Sequence, residues 1–411
     1  MPKTPTCTVI TRSVLPASLF PVQPSTTSSK SIASTLARHI LGHINAYNFS
    51  LTRQRWDRQE REIIDKFFRE KIPATPTTES ESASAAACTE ESCIRFAKAA
   101  LNTDDIAAVD NQGSNSFTLL SPSLKEIIQF RLKPLNTDII HLANTIYGDL
   151  VPEVKFHDGF ALPAVYSCKA IPGRVHLLQP FPKGNFPLER EKLTVAELGR
   201  FVARAAFFEQ PKPFSDDSWT KSAEMTLHRL TKNPTLKCLA PDLFDLLGTL
   251  QPELHLLESL PAVLTHHDFS QVNILVNDYG NVTGVIDFDE AGIEAFGMCT
   301  WGLYECFLGS MEDGKWSFYD MPAAEDFQPS RSVREVLECT FWDSLWGNAP
   351  PSLKRDKAER AVKISLSIGI INRYFIQGMM DEIDMSRNAH RLSLEYVRRI
   401  LPQVWKWNER L

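Results

Sequence analysis

The sequence predicts an α+β protein in which a small sheet lobe precedes a larger, mainly helical lobe. Three observations lead there. Short apolar runs separated by turn residues crowd into residues 106–179, helical periodicity dominates after Gly184, and one hairpin-like block interrupts the helical half at 262–288. The 411 residues suffice for more than one domain, and 43% hydrophobic with 23% charged residues is the balance of a chain that buries a core.

Composition excludes several classes. No stretch reaches the roughly 18 uninterrupted apolar residues of a membrane span, so no integral membrane association is expected. A net charge of −6 supplies no global basic field, so no nucleic-acid partner is expected either. The eight cysteines show no C-x-x-C and no Cys/His ligand spacing, which argues against a disulfide scaffold or a structural zinc and for a reducing intracellular compartment.

Residues 1–91 read as an N-terminal extension. The first 56 hold six Lys/Arg and no acid, and Ile32, Leu36, Ile40, Leu41 and Ile44 share one helical face. Two readings fit this start: a disordered tail with a docking helix, or an organelle transit segment. The cytoplasm is the expected location under the first, the mitochondrion under the second. A charged helix is expected near Asp57–Glu70, followed by a low-complexity linker, PATPTTESESASAAACTEE, over Pro73–Glu91.

Residues 92–183 form the expected small lobe. Strands are predicted at Ile106–Val109, Phe117–Leu120, Ile127–Leu132, Ala164–Cys168 and Val175–Gln179, with a helix over Thr137–Tyr147. Residues 184–411 form the helical lobe. Thr194-x-x-Glu197 has the pattern of a capping box and predicts a helix start there. Further helices are expected over Ser222–Thr231 and Asp242–Leu257.

The most informative stretch is LTHHDFSQVNILVNDYGNVTGVIDFDEAG, Leu264 to Gly292. Ile274–Val276 and Val282–Ile286 flank the turn NDYGN and predict a hairpin. If Val276 pairs with Val282, Asn273 lies opposite Val285 and Asp287 falls two residues on, on the same face. A one-residue slip would separate them. Asp268 lies on the loop leading in. An Asp, an Asn five residues later and an Asp beyond a short hairpin suit phosphoryl transfer, which needs a base for a hydroxyl and oxygen ligands that hold magnesium against phosphates.

H-x-D-x-x-x-x-N at His266–Asn273, followed by Ile286-Asp287, resembles the aminoglycoside phosphotransferase and choline kinase branch of the protein-kinase-like fold. The flanking QGSNSFTL (Gln112–Leu119), IIQFR (Ile127–Arg131), YGDLVP (Tyr147–Pro152), EAGIEAFG (Glu290–Gly297) and WGLYECFLG (Trp301–Gly309) resemble fungal phosphotransferase-family proteins. The resemblance spans about residues 92–405 and implies a bilobal fold with ATP held between a nucleotide-binding N-lobe and a C-lobe that carries the catalytic loop and acceptor pocket.

Carried onto these positions, the resemblance makes Asp268 the catalytic base, Asn273 and Asp287 the Mg²⁺ ligands, and His266 a buttress of the loop. Asn111–Ser116 becomes the loop over the phosphates, with Gly113, Ser114 and Ser116 as candidate contacts. Gln129 stands where the family's strand usually presents a Lys or Arg. Arg131, on the same face by strand alternation, is the candidate substitute. Asp138 matches the acidic partner of that strand residue, or is an ordinary helix-start acid. Gln179 lies at the hinge and would offer its main chain to adenine.

The implied activity is ATP-dependent transfer of a phosphoryl group to a hydroxyl of a small-molecule acceptor. The alternative, raised by Gln129 and the single glycine of the loop, is a nucleotide-binding pseudokinase with a regulatory or scaffold role. Most aromatic residues from Trp301 to Trp346 are expected in the core, with Glu294 and Glu305 offered as carboxylates for an amine-bearing acceptor.

Overall fold

The computed structural model describes residues 61–71, 88–109, 112–113, 115–158, 163–179, 186–210, 217–312, 315–323, 331–375 and 379–406. The expected helix at 32–44, the start of the charged helix, most of the linker and Ser114 lie outside the described residues. Two compact units divide at Pro172/Gly173.

The first unit is built on a five-stranded antiparallel sheet. Its strands are β1 (Ala107–Ala108), β2 (Ser116–Ser121), β3 (Glu126–Arg131), β4 (Lys155–His157) and β5 (Ala164–Lys169), in the order β1-β2-β3-β5-β4. The short β4 was not expected from sequence; its pattern is too brief and polar to register as a strand. Helix α1 (Glu90–Leu101) starts at a capping box and α2 (Thr137–Tyr147) starts at Asn136, whose side chain accepts from Ile139 N–H. Apolar residues of β2, β3 and β5 meet Cys93 and Ala97 of α1 in one core, joined by Ile64 and Phe67 from the helical segment at 61–71.

Val175–Gln179 departs from the expected strand. Only Arg174–Val175 (β6) is extended, His176–Leu178 forms a 3-10 turn, and β6 pairs with the hairpin of the second unit instead of extending the first sheet.

The second unit is mainly helical. Helix α3 spans Leu188–Arg204, so Thr194 and Glu197 lie inside it rather than at its start. Helices α4 (Trp219–Leu230), α5 (Pro234–Leu239) and α6 (Pro241–Leu250) follow, and a 3-10 run at Gln251–Ser259 replaces the last turns expected of α6. Strands β7 (Ala262–Thr265) and β10 (Gly292–Ala295) form one ladder. Between them the hairpin β8 (Ile274–Val276) and β9 (Val282–Val285) forms another. The hairpin β11 (Gly309–Glu312) and β12 (Lys315–Phe318) precedes α7 (Val333–Gly347), α8 (Arg355–Tyr374) and α9 (Asn388–Lys406).

Helix α8 is buried along most of its length, from Ala358 to Tyr374, which makes it the central element of this unit. Trp301, Trp316, Phe341 and Trp342 are buried as expected of core residues. No helix among the described residues is long and apolar enough to cross a membrane.

Candidate active site

The hairpin forms because two apolar runs flank Asn277–Asn281, whose side chains and backbone close the turn. Asn277 N–H donates to Asn281 O at 2.9 Å, and Asn277 Oδ1 accepts from Tyr279 and Asn281 N–H at 3.0 Å each. Helix α3 holds this turn from behind. Thr194 Oγ1 donates to Gly280 O at 2.7 Å, and the Glu197 carboxylate accepts from Asn281 Nδ2 and from Val282 N–H. The residues that read as a helix cap therefore anchor the hairpin. Gly280 has φ 93°, and a Cβ there would lie 2.4 Å from Arg190 O, so only glycine permits this approach.

The register differs from expectation by one residue. Val276 does pair with Val282, but Thr283 is left without an opposite residue, so Leu275 faces Gly284 and Ile274 faces Val285. Such a bulge shifts every pairing beyond it. Asn273 consequently meets Ile286, whose N–H donates to Asn273 O at 2.9 Å. Asp287 follows with φ 67°, a left-handed conformation that ends strand alternation, so face-counting no longer applies to it. Its side chain lies on an exposed residue.

The loop between β7 and β8 is fixed by a chain of hydrogen bonds. Asp268 N–H donates to His266 Nδ1 at 3.1 Å, which requires Nδ1 to be unprotonated, and Nε2–H then donates to Ile286 O at 2.9 Å. Burial lowers the imidazole's proton affinity, consistent with this neutral tautomer. His266 thus ties the loop that carries Asp268 to the end of the hairpin. Asn273 Nδ2 donates to both Asp268 O (2.8 Å) and Asp268 Oδ2 (3.0 Å). Asp268 and Asn273 are therefore brought into direct contact.

The other oxygen of Asp268 meets a residue that sequence reasoning missed. Arg373, near the end of α8, places Nη2 3.1 Å from Asp268 Oδ1. Its Nε lies 3.6 Å from Glu305 Oε2, and its guanidinium carbon sits 4.3 Å from the centre of the Trp301 ring. Gly302 lets this part of the chain approach the loop, since a Cβ there would meet Phe269 O at 1.9 Å. Burial pushes the Glu305 carboxyl up, and the looser contact with Arg373 does not reverse it. A lone arginine late in an apolar helix is the one sequence signal Arg373 offers, and it names no partner.

Glu294 was expected to face an acceptor, but it is fully buried and accepts five hydrogen bonds. These come from Ser218 Oγ, the N–H groups of Trp219 and Thr220, Thr220 Oγ1 and His267 Nε2. His267 also stacks on Trp219 with ring centres 4.1 Å apart. Burial alone would raise the Glu294 carboxyl, yet the His267 bond and the donors at the start of α4 hold it below its ordinary value.

In the first unit, pairing of β2 with β3 sets Ser116 opposite Arg131. Gln129 Nε2 donates to Ser116 Oγ (3.3 Å) and Thr118 Oγ1 (3.2 Å), while its Oε1 accepts from Arg131 Nη1 at 2.8 Å. Arg131 and Gln129 do share a face, and Gln129 steers the arginine. Gly113 sits close by, where a Cβ would lie 2.9 Å from Ser116 Oγ. Asp138 is exposed in the first turn of α2, and no ion pair links it to Arg131 among the described residues. In the second unit Gln179 N–H closes the 3-10 turn on His176 O, and its side chain donates to Asn277 O at 2.7 Å.

The model of the phosphotransferase enzyme family matches residues 173–297. That stretch is phosphotransferase-family sequence. It contains β6 to β10, and hence His266, Asp268, Asn273 and Asp287. No curated protein sequence matches the chain.

Among solved structures, the chain is similar to the GDP complex of aminoglycoside 2'-phosphotransferase-IIIa (14% identity, TM-score 0.48, covering 76% of this chain and 97% of that one). It is similar to an ethanolamine kinase from Plasmodium vivax (15% identity, TM-score 0.44, 81% and 93% covered). It is also similar to a choline/ethanolamine kinase family protein from Mesorhizobium loti (13% identity, TM-score 0.44, 84% and 98% covered).

Proposed function

We propose that this protein transfers the γ-phosphoryl group of ATP to a hydroxyl of a small molecule, with Asp268 as the base. The observation that carries this reading is the setting of the Asp268 carboxylate on a loop within the family segment, with Oδ2 hydrogen-bonded by Asn273 Nδ2 and Oδ1 3.1 Å from the Arg373 guanidinium as an ion pair without a hydrogen bond. A carboxylate held this way keeps one orientation towards an incoming hydroxyl, and positioning is most of what phosphoryl transfer asks of a protein.

The donor set suits Mg²⁺. Asn273 commits its Nδ2 to Asp268, which leaves its amide oxygen as the ligand atom, and Asp287 adds an exposed carboxylate beyond the hairpin. Two protein oxygens plus phosphate oxygens and water are what Mg²⁺ commonly takes. When bound, the ion would neutralise charge on the phosphates. Asp268 accepts the acceptor's hydroxyl proton at a carboxylate oxygen, His266 holds the loop against the end of the hairpin, Asn273 orients the carboxylate, and Arg373 supplies the positive charge beside it. On the nucleotide side, Arg131 is the candidate cation, with Gly113, Ser114 and Ser116 in the phosphate loop and Gln179 presenting its carbonyl to adenine.

Heat stabilisation by ATP tests the reading. A shift that needs Mg²⁺ and vanishes in Asp287→Ala supports it, as does acceptor-dependent ADP release that falls by roughly 10²–10⁴-fold in folded Asp268→Ala. Wild-type turnover in Asp268→Ala refutes it. The engagement of Gln129 with Ser116, Thr118 and Arg131, in place of a strand lysine, favours a second reading as a nucleotide-binding pseudokinase. ATP binding without turnover across a broad acceptor panel would select that one.

A further inference from the structure

Helix α1 begins with two devices that meet in space. Thr89 caps it: Thr89 Oγ1 accepts from Ser92 N–H at 3.2 Å, and Ser92 Oγ accepts from Thr89 N–H at 2.9 Å. The residue before such a cap and the fourth residue after it are the two positions that a hydrophobic staple presses together. Here both are cysteines, Cys88 and Cys93, and their Sγ atoms lie 3.6 Å apart. Cys93 is fully buried in the core with Phe67, Phe117 and Ile128, whereas Cys88 is half-buried at its edge. A small apolar residue explains Cys93 on its own. It does not explain a second thiol, in contact with the first and closer to solvent.

We propose that Cys88 and Cys93 form a redox-modification site, a dithiol staple that a peroxide converts to an intramolecular disulfide. The cap geometry supplies the proximity, and partial exposure makes Cys88 the attacking sulfur. Accepting the Cys93 S–H lowers the Cys88 thiol below its ordinary value, while that hydrogen bond and burial push Cys93 up. Burial also pushes Cys168 up to about 11 and Cys299 up to about 12, which makes both poor competitors.

In the first step the Cys88 thiolate attacks a peroxide oxygen. The S–O bond forms, the O–O bond breaks, and the departing oxygen leaves as water after taking up a proton, so Cys88 becomes a sulfenic acid. In the second, the Cys93 sulfur gives up its proton and attacks the Cys88 sulfur. The S–S bond forms, the S–O bond breaks, and a second water leaves. Two thiols lose two electrons and one hydrogen peroxide becomes two waters. The raised Cys93 thiol makes the second step the slow one. The new bond closes a ring over the capping box and over Glu90, which pairs with Arg61 at 2.6 Å, so oxidation locks the start of α1 where it meets the segment at 61–71.

The full-length protein is treated with hydrogen peroxide, alkylated with iodoacetamide, digested with trypsin without reductant and mapped by mass spectrometry. Tryptic peptide 72–95 holds Cys88 and Cys93 and no other cysteine. The expected product is this peptide, unalkylated and two hydrogens lighter, returning to the dialkylated form after dithiothreitol. Cys93→Ser should instead leave Cys88 as a dimedone-reactive sulfenic acid. Dialkylated 72–95 peptide at a peroxide dose that oxidises the exposed Cys238, or Cys88 joined to any other cysteine, overturns the proposal.

Discussion

Arg373 Nη2 stands 3.1 Å from Asp268 Oδ1, in a pocket where the arginine is almost wholly buried and Asp268 only partly so. The same guanidinium faces Glu305 and lies over Trp301. One buried cation thus serves two carboxylates, and the loop that carries Asp268 is fastened to the central helix of its unit through that cation.

Removing the cation should leave both carboxylates uncompensated in a low-dielectric pocket. Arg373→Met is expected to lower unfolding free energy by about 3–5 kcal/mol, the usual cost of breaking a buried pair from one side. Adding Glu305→Gln should recover part of that loss, because the two residues are coupled. Urea denaturation of the two single variants and the double variant checks this; strictly additive losses would show that Glu305 does not feel Arg373.

Asp287 combines a left-handed backbone with an exposed carboxylate. Glycine accepts that backbone freely and valine does not. Asp287→Gly should therefore keep stability within about 1 kcal/mol of wild type, whereas Asp287→Val should cost about 1–2 kcal/mol. Both should lose Mg²⁺-dependent stabilisation by ATP. Thermal shift measured with and without Mg²⁺ separates the two effects. A glycine variant that retained the Mg²⁺ response would remove Asp287 from the ligand set.

Much of this site was legible because its signals are local. The apolar runs around Asn277–Asn281 announce a hairpin, and Asp268 and Asn273 are close enough in sequence that one loop can join them. What escaped is long-range or depends on backbone detail. Thr194 and Glu197 have the pattern of a cap, yet a hydroxyl and a carboxylate three residues apart serve equally well to grip the turn at Gly280 and Val282. The unpaired Thr283 shifts the register, and no propensity distinguishes a bulge there. Arg373 lies far along the chain from Asp268, and only the packing of α8 brings them together. Glu294 looked available to a ligand because an isolated carboxylate reads as exposed; the start of α4 claims it instead.

Glu294 and Glu305 should give opposite pH signatures. The Glu294 carboxyl is held below its ordinary value, so its contribution is full above the unfolded value near 4.5 and is lost as pH falls further. The Glu305 carboxyl is raised by burial, so the folded state keeps its proton longer. Its contribution is present below 4.5 and declines as pH rises above that. Glu305→Gln should flatten the loss of stability on the neutral side, and Glu294→Gln the loss on the acid side. Denaturation midpoints across an acid-to-neutral pH series test this, and identical profiles for the two variants would contradict it.

Arg131 and Gln129 supply the sharpest test of the nucleotide side. Gln129 aims Arg131 through a 2.8 Å hydrogen bond while gripping Ser116 and Thr118 on the neighbouring strand. If Arg131 provides the charge that a strand lysine usually brings, Arg131→Met should remove a charge-assisted contact with a phosphate, worth about 1.5–3 kcal/mol, and weaken ATP binding by roughly ten- to a hundred-fold. Gln129→Met leaves the charge and removes only its guide, so it should weaken binding less. Titration calorimetry with ATP, with each variant's fold checked by circular dichroism, measures both. An Arg131→Met protein that bound ATP as wild type does would remove Arg131 from the phosphate contact.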